Sequence, residues 1–554
     1  MTTKERFRNS FGENVFRFKY AQGPGDTWDK LAERLVEDVC GTRWGTQHQL
    51  MSLDERKQLA EYIKEMKFLP GGRYLYYAGR PYKAYNNCYL LRAEEDTREE
   101  WSAVTWRAMS CLMTGGGIGI DYSRLRPAGK ELSRTGGTAS GPIPLMYAIN
   151  EIGRNVMQGG SRRSAIYASL NWQHEDITNF LRAKDWKSMP VGNTGQTLHD
   201  IKQVNFNAVA PLDMTNISVN YEDAWGFDPK NPVFLENCKQ ALMTGEPGFS
   251  FNFGNKQNET LRNACTEVTS EDDSDVCNLG SINLGNIQTI EEFQSVVALA
   301  SKFLVCGTLR ADLPYDKVYK VREKNRRLGL GLMGIHEWLL QRGQGYEVTG
   351  ALHQWLKVYQ HESELAANEH CDRFYISHPI AYRAIAPTGS IGILAGTTTG
   401  IEPLFAVAYK RRFLTEGTKW KYQYVVDGTA STLISEYGVE PDKIDSALGL
   451  SSNYEKRLKF QADIQDYVDM SISSTINLPS WGSENNNESR VQEFAEVLAT
   501  YAPRLRGFTC YPDGSRGGQP LTEVSYQEAL KHKDVVYDEV DICDITGRGG
   551  SCGS

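Results

Sequence analysis

The stretch NACTEVTSEDDSDVCNLGSINL, residues 263–284, places two thiols, an amide and a carboxylate ahead of a short apolar run. Cys265 has Asn263 two positions before it and Glu267 two positions after it, and Cys277 precedes the strand-like INL. In an extended chain, side chains two positions apart point to the same side, so Asn263, Cys265 and Glu267 would converge on one small volume. Metal binding, a structural disulfide, core packing and redox catalysis each explain this stretch differently.

Spacing and compartment separate these explanations in part. A zinc site usually has about two to four residues between paired cysteines and a second pair nearby, and neither is present, so no metal site is predicted. A structural disulfide conflicts with the reducing compartment that the composition indicates. Core packing leaves the flanking amide and carboxylate unexplained. On composition alone, core packing and a functional site both stay open.

Composition indicates a large globular protein of the cytoplasm. The chain has 554 residues, of which 40% are hydrophobic and 23% charged, enough to bury a sizeable core. The net charge of −8 argues against a surface that coats nucleic acid. The N-terminal residues lack the apolar centre of a signal peptide, and no run of about 18 apolar residues would span a membrane. We therefore expect neither nucleic acid nor a membrane as a partner.

The cysteines agree with a reducing compartment. Eleven cysteines are an odd number in a long chain, so a framework of structural disulfides is not expected. Cys111, Cys238 and Cys306 lie among apolar or helical residues and are predicted to be small core residues. Any disulfide is expected to be transient and catalytic.

Hydrophobic periodicity divides the chain into three parts. Residues 1–80 carry apolar positions at helical spacing, and Ser52 with Glu55 predicts a capping box. Over residues 81–530, short strand-like runs alternate with helical segments without a linker, which predicts a single α/β barrel-like domain. Residues 531–554 are predicted to form a flexible tail.

The glycine-rich segment APTGSIGILAGTTTGIEP, residues 386–403, suits anion binding. Hydroxyls and unshielded backbone N–H groups precede an apolar run of helical type, at Thr388, Gly389, Ser390 and Gly392. A helix N-terminus with small residues favours anions. A tight strand–helix turn explains the same residues, so both interpretations stay open.

Two further segments are ambiguous in the same way. MQGGSRRSA, residues 157–165, places Arg162 and Arg163 in a loop that suits phosphate contact or a solvated charge pair. Near the C-terminus, DITGRGGS separates Cys543 from Cys552. A glycine-rich arm with two thiols suits thiol–disulfide exchange, whereas the alternative is a pair of incidental exposed thiols.

Taken together, the motifs resemble the large catalytic subunits of ribonucleotide reductases. NACTEV resembles the finger loop of that family, and NNCYLL with VCNLGSINL resembles the strands that carry its redox-active pair. TGGGIGIDYSRLRPAGK, SRTGGTASGP and QGGSRRSAIYASLNWQHEDI resemble its effector and specificity loops. APTGSIGILAGTTTGIEPLFAVAYKRRF resembles its substrate-phosphate segment. The fold implied is an α/β ten-stranded barrel with a central finger loop, preceded by a short helical N-terminal region.

In detail the sequence is similar to the adenosylcobalamin-dependent branch, class II, including short phage-type members. The Cys265–Cys277 spacing is short, Cys510 with Tyr511 stands where class I subunits carry two adjacent tyrosines, and the tail carries thiols. The cofactor implied is adenosylcobalamin. The alternative is a class I-type subunit that receives its radical from a separate metal-containing subunit. Gly72 departs from the relatives that carry a hydroxyl residue there.

The resemblance implies reduction of ribonucleotides to 2′-deoxyribonucleotides for DNA synthesis. Cys265 would become the thiyl radical that takes the 3′-hydrogen, Glu267 would accept the 3′-hydroxyl proton, and Asn263 would orient the substrate. Cys88 and Cys277 would supply two electrons and end as a disulfide. A non-radical thiol oxidoreductase and a nucleotide-binding regulator are the lower alternatives. Diphosphate and triphosphate substrates are equally compatible with the sequence.

Re-reduction and regulation are implied by the same resemblance. Cys543 and Cys552 would re-reduce the pair and be reset by a thioredoxin- or glutaredoxin-like protein. The implied substrate-binding positions are Asn87, Gly117, Ala264, Pro387, Thr388, Gly389, Ser390 and Ile391. An effector, ATP or a deoxynucleoside triphosphate, would bind at a homodimer interface near Glu95, Asp96, Arg124, Arg126, Lys130, Arg134, Gly159, Gly160, Arg162 and Arg163. Because helices leading into the barrel occupy the residues before Cys88, no global shut-off by dATP is expected.

Overall fold

A computed structural model describes residues 6–42, 48–156, 164–205, 208–415, 419–515, 521–532 and 535–538. The helices in these ranges are α1 (Ser10–Lys19), α2 (Trp28–Cys40), α3 (Leu53–Lys64), α4 (Gly72–Tyr77), α5 (Arg98–Met113), α6 (Ile143–Asn155), α7 (Ile177–Leu181), α8 (Leu198–Val204), α9 (Pro232–Thr244), α10 (Ile290–Arg310), α11 (Asp316–Asn325), α12 (Ile335–Leu340), α13 (Gly350–Arg373), α14 (Gly389–Ala395), α15 (Gly428–Tyr437), α16 (Tyr454–Gln465), α17 (Val491–Tyr501) and α18 (Tyr526–Lys531).

The strands in the same ranges are β1 (Phe68–Pro70), β2 (Cys88–Arg92), β3 (Gly117–Asp121), β4 (Ile166–Asn171), β5 (Thr215–Glu222), β6 (Gly248–Asn252), β7 (Leu261–Arg262), β8 (Thr269–Ser270), β9 (Asp275–Asn283), β10 (Leu328–Met333), β11 (Ala408–Thr415), β12 (Lys419–Val426), β13 (Thr475–Leu478), β14 (Gly507–Pro512), β15 (Leu521–Glu523) and β16 (Val536–Asp538).

The N-terminal helices begin at capping signals in the sequence. Ser52 and Glu55 form the predicted capping box at the start of α3, and the hydroxyl of Thr27 caps α2. β1 follows α3 and pairs with β9, so the first 80 residues already supply a strand to the large sheet. The division of the chain at residues 80 and 530 stays a prediction.

Ten strands form one large sheet. Its order is β1-β9-β2-β3-β4-β5-β6-β14-β13, and β10 also pairs with β9. β2 to β6 run parallel, whereas β9 and β14 pair antiparallel with β2 and β6. Isolated bridges join Leu330 of β10 to Arg383, and Ile385 to Ile472 just before β13. Backbone contacts therefore connect the two ends of the sheet, as a barrel requires.

The barrel strands are buried because helices cover them. Every residue of β2, β6, β9 and β10 is buried, as is typical of strands with both faces covered. α10 packs against β9, β10 and α13. Among the described residues it is the one helix long and apolar enough to cross a membrane, yet 67% of its apolar window is buried within the protein. That burial is typical of a core helix.

A short hairpin formed by β7 and β8 packs against β2 and β3. It carries residues 263–268 at its tip and corresponds to the predicted finger loop. Gly119 of β3 permits the close approach, since an added Cβ would lie 1.7 Å from the carbonyl oxygen of Arg262. This contact positions the tip of the hairpin relative to the barrel strands.

A second, antiparallel sheet has the order β15-β11-β12-β16. β16 lies in the region predicted to be a flexible tail, and Tyr537 is paired with Tyr422 of β12. Val536–Asp538 is thus a strand, while residues 539–554, with Cys543 and Cys552, lie outside the described residues.

Candidate active site

The tip of the finger hairpin is a turn, whereas the sequence analysis expected an extended chain at residues 263–267. The backbone N–H of Thr266 donates to the carbonyl of Asn263 at 3.0 Å, and Thr266 has a φ of +71°. The side-chain oxygen of Asn263 accepts a hydrogen bond from the N–H of Val268 at 2.9 Å. β7 and β8 each have two residues, so the intervening residues must reverse the chain.

The turn divides the three predicted catalytic side chains by exposure. Asn263 and Glu267 are each 1% exposed, whereas Cys265 is exposed at the tip. The amide of Asn263 donates to Sγ of Cys88 at 2.9 Å, and the same sulfur lies 4.0 Å from Oε1 of Glu267. Asn263 and Glu267 therefore meet at Cys88, and Cys265 shares only the lining of the same cleft with them, so a hairpin turn rather than strand alternation sets their arrangement.

Cys88 and Cys277 are opposite partners on the antiparallel strands β2 and β9. Side chains at such positions have Cβ atoms about 4.5–5.5 Å apart, close to the separation from which a disulfide can form. Burial raises the pKa of both thiols well above the ordinary value, and the carboxylate of Glu267 raises that of Cys88 further. Both sulfurs are thus held as protonated thiols, and each carries a proton that it can give to a leaving group.

Glu267 is a carboxyl group that can act as a base near neutral pH. Burial raises its pKa to about 7, against the opposing effect of a hydrogen bond from Asn263. Its Oε2 atom is buried without a hydrogen-bond partner in the described structure. A carboxyl group that titrates near neutral pH can accept a proton in one step and return it in another.

A cleft of about 340 Å³ opens beside the hairpin tip. Cys88, Asn263, Cys265 and Glu267 line it. All eight predicted substrate-binding positions line it as well: Asn87, Gly117, Ala264, Pro387, Thr388, Gly389, Ser390 and Ile391. The Oδ1 atom of Asn87 is buried without a partner within the described residues, so the wall of the cleft presents unsatisfied polar atoms to a ligand.

The phosphate segment runs from an isolated bridge at Ile385 through an irregular stretch into helix α14. Thr388 has a φ of +50° and precedes α14, and its hydroxyl accepts a hydrogen bond from the N–H of Gly400 at 2.8 Å. Residues 387–391 line the cleft, and Glu267 is the one carboxylate among the residues that line it.

Sequence reasoning missed several residues of the cleft. Ser281 and Leu279 follow Cys277 along β9 at two-residue intervals and line the cleft, so strand periodicity applied to VCNLGSINL would have found them. Arg73 also lines the cleft, and its guanidinium donates to the carbonyls of Ala84 and Thr114. No local sequence signal identified Arg73.

Buried ion pairs brace the finger hairpin against the barrel. Glu259, which precedes β7, accepts from Arg506 at 2.9 Å and from the hydroxyl of Thr269 at 2.8 Å. Arg327 contacts both Asp275, at 2.8 Å, and Glu259, at 3.6 Å. The hairpin is thereby tied to the strand that carries Cys277. Sequence reasoning did not find this network, because its members lie far apart along the chain.

None of the six predicted effector residues that the structure describes lines the cleft: Glu95, Asp96, Arg124, Arg126, Lys130 and Arg134. Arg124 pairs with Glu94 at 2.8 Å, Arg126 with Asp96, and Lys130 with Glu175 at 3.0 Å. Glu95 and Arg134 are exposed. Gly159, Gly160, Arg162 and Arg163 lie outside the described residues. A nucleotide phosphate bound to these basic side chains would replace their carboxylate partners. The effector site stays a prediction.

Every cysteine in the described ranges other than Cys265 is buried. Cys111, Cys238 and Cys306 are fully buried, which confirms the prediction that they are core residues. Cys510 is 4% exposed, contacts the carbonyl of Ala241 at 3.4 Å and does not line the cleft. Across the described ranges no group of three or more His, Cys, Asp and Glu side chains is placed to hold a metal ion.

Comparisons with known proteins agree with this geometry. Residues 86–196, 233–361 and 380–511 match the family described as "Ribonucleotide reductase, barrel domain". The chain is 26% identical to a "Vitamin B12-dependent ribonucleoside-diphosphate reductase" of Mycobacterium tuberculosis (strain CDC 1551 / Oshkosh), over 93% of this chain and 80% of the relative. It is 24% identical to a "Putative adenosylcobalamin-dependent ribonucleoside-triphosphate reductase" of Mycobacterium phage D29, over 93% of this chain and 95% of the relative.

The fold is also similar to that of a solved structure. A crystal structure described as that of a B-12 dependent (class II) ribonucleotide reductase superposes with a TM-score of 0.71 and 17% identity. The match covers 96% of this chain and 95% of the other. The predicted α/β ten-stranded barrel is thus confirmed.

Proposed function

This chain belongs to the ribonucleotide reductase family, and on that premise we propose that it reduces ribonucleotides to 2′-deoxyribonucleotides by thiyl-radical chemistry with adenosylcobalamin. The observation that carries the proposal is the cleft that brings the exposed Cys265 together with the buried Cys88 and Glu267. The thiol of Cys265 can be reached from outside the protein. The thiol of Cys88 and the carboxyl group of Glu267, which act in the later steps, are buried.

The cleft residues, together with Cys277, the partner of Cys88 on β9, account for each proton and electron of the reaction. Cys265, as a thiyl radical, takes the 3′-hydrogen, and Glu267 accepts the 3′-hydroxyl proton. The 2′-hydroxyl leaves as water with a proton from a thiol of the pair, and Cys88 and Cys277 together supply two electrons and become a disulfide. The 3′-hydrogen then returns from Cys265, and the 3′-hydroxyl proton returns from Glu267. Net, one ribonucleotide and two thiols give one deoxyribonucleotide, one disulfide and one water.

The residues present fit a radical source that acts from outside the cleft. Cys265 is the residue that would face the cofactor, because it is exposed while Asn263 and Glu267 are buried. Adenosylcobalamin, when bound, supplies an organic radical for one-electron oxidation of a thiol. The relatives that the chain matches carry names with vitamin B12 or adenosylcobalamin. Cys510 packs away from the cleft, which gives no support to the alternative of a second, metal-containing subunit.

Regulation and assembly are part of the proposal. α5 exposes an apolar stripe at helical spacing, Trp106, Met109 and Met113, which are 57%, 38% and 63% exposed. Asp96, one of the predicted effector residues, accepts from the indole of Trp101 at the start of this helix. A second copy of the chain would cover the stripe and place the effector nucleotide at the interface. A thioredoxin- or glutaredoxin-like protein would reset the tail cysteines, Cys543 and Cys552.

The test uses the purified chain with a dithiol and adenosylcobalamin and without a second subunit, offering both diphosphates and triphosphates. We expect deoxynucleotide formation that Cys265→Ser abolishes, while the Cys510→Ser control retains it. Activity only with a metal-loaded partner subunit would show that the cobalamin assignment is wrong. Substantial product from Cys265→Ser would overturn the radical mechanism.

A further inference from the structure

Helix α1 runs antiparallel to α14, whose first turn belongs to the phosphate segment. At one end, Arg8 precedes α1 and donates to the carbonyl of Gly396, just after α14. Further along, Gly12 approaches the backbone of Leu394 so closely that an added Cβ would lie 2.7 Å from its oxygen. The last residue of α1 must therefore lie near the first turn of α14.

That last residue is Lys19. Its ammonium Nζ lies 3.5 Å from the hydroxyl oxygen of Ser390, and Ser390 lines the cleft. Lys19 is exposed and is not among the residues that line the cleft. It lies at the rim of the cleft, next to the lining residue Ser390. Among the described residues that line the cleft, Arg73 is the one basic side chain, and it is hydrogen-bonded to the carbonyls of Ala84 and Thr114.

We infer that Lys19 binds the terminal phosphate of the ribonucleotide. The inference rests on the proposed function, which puts the ribose beside Cys265 and the phosphates along residues 387–391. The terminal phosphate is the part of the ligand furthest from the ribose, so it lies where the rim begins. A lysine on a flexible stem suits this place, since its ammonium can follow phosphates of different chain length. The N-terminal helix thereby contributes directly to substrate affinity.

Contacts at the N-terminal end of α1 hold the helix that carries Lys19 in place. Arg8 also pairs with Glu337 and donates to Asn286, and Asn9 caps the helix through the N–H of Gly12 at 2.9 Å. These contacts lie at the opposite end of α1 from Lys19, so a change at Lys19 leaves them in place. Substitution of Lys19 is therefore expected to alter charge at the rim without releasing the helix.

Calorimetric titration of the full chain without cofactor measures the effect directly. The ligands are cytidine diphosphate, cytidine triphosphate and cytidine, which avoid the predicted adenine and deoxynucleotide effectors. We expect Lys19→Gln to weaken binding of at least one cytidine nucleotide about tenfold, with a loss that shrinks at high salt, and to leave cytidine binding unchanged. Lys19→Arg should bind within about twofold of the wild type, because it keeps the charge.

The matched control is Lys57→Gln, which removes the same charge from an exposed position of α3 that lines no part of the cleft. It should bind all three ligands as the wild type does. Two results would overturn the inference, provided that the wild type still forms deoxynucleotides. One is that Lys19→Gln binds the nucleotides within twofold of the wild type, and the other is that it loses as much affinity for cytidine as for the nucleotides. A wild type that neither binds cytidine nucleotides nor reduces them would instead refute the proposed function, and the inference with it.

Discussion

Cys88 and Cys277 face each other directly across β2 and β9, so two residues far apart in the sequence occupy adjacent positions in one sheet. The amide of Asn263 contacts the first of these sulfurs, and Glu267 lies beside it. The finger hairpin therefore brings an amide and a carboxyl group to a thiol pair that the barrel strands have already aligned.

This alignment predicts a specific disulfide. In a chain that carries Cys543→Ser and Cys552→Ser, which cannot pass the disulfide to the tail, peptide mass spectrometry after one turnover without reductant should show Cys88 linked to Cys277, with one deoxynucleotide formed per disulfide. Cys277→Ser should lose multiple turnover entirely. Cys111→Ala, which removes a buried sulfur elsewhere, should keep turnover and lose about 1 kcal/mol of stability. A disulfide between any other pair would contradict the electron path.

Glu267 should make stability depend on pH. Its pKa is raised from 4.5 to about 7 by burial, so as pH rises from 4.5 the unfolded chain releases this proton before the native chain does. Stability is lost across this window, by about 3 kcal/mol once pH exceeds 7. Glu267→Gln should thus be inactive yet more stable than wild type at pH 8, with the difference fading towards pH 5.

Urea unfolding at pH 5 and pH 8 measures that difference. Glu347→Gln, a change at an exposed carboxylate, is the control and should show no such pH dependence. An equal stability difference at both pH values would mean that Glu267 is not held protonated by burial.

Gly119 should be intolerant of a side chain. The Cβ of Gly119→Ala would lie 1.7 Å from the backbone oxygen of Arg262, so the hairpin must shift. Such overpacking costs about 1–3 kcal/mol, and we expect kcat to fall at least about tenfold as Cys265 moves. Gly350→Ala, at a position with no neighbour within 4 Å, should leave both kcat and stability nearly unchanged. A normal kcat of Gly119→Ala would show that the position of the finger hairpin does not control turnover.

The tail cysteines should matter for one reductant only. Cys552→Ser is expected to abolish turnover supported by a thioredoxin-like protein and to preserve turnover supported by a small dithiol, which can reach Cys88 and Cys277 directly. Parallel assays of initial rate with the two reductants measure this. Equal loss with both would assign the tail cysteines another role.

The local sequence predicted much of the catalytic chemistry and part of the fold. The capping box at Ser52 and the core cysteines follow from short-range patterns and are found. The prediction that residues 263–267 form an extended chain was wrong. The two flanking strands have only two residues each, so the chain must turn between them, and no periodicity in the stretch reveals this turn. The braces at Glu259 and Arg327 escaped prediction, since ion pairs between distant segments leave no local signal.

What the sequence determined by itself is the set of reactive groups: thiols, an amide, a carboxyl and a glycine-rich segment at fixed spacing along the chain. What only the tertiary structure decided is their environment. Burial sets the pKa of Glu267, the pairing of β2 with β9 sets which thiols meet, and the packing of α1 on α14 sets where Lys19 lies. Each of these depends on contacts between segments far apart in sequence, and desolvation and pairing arise only when the chain has closed around them.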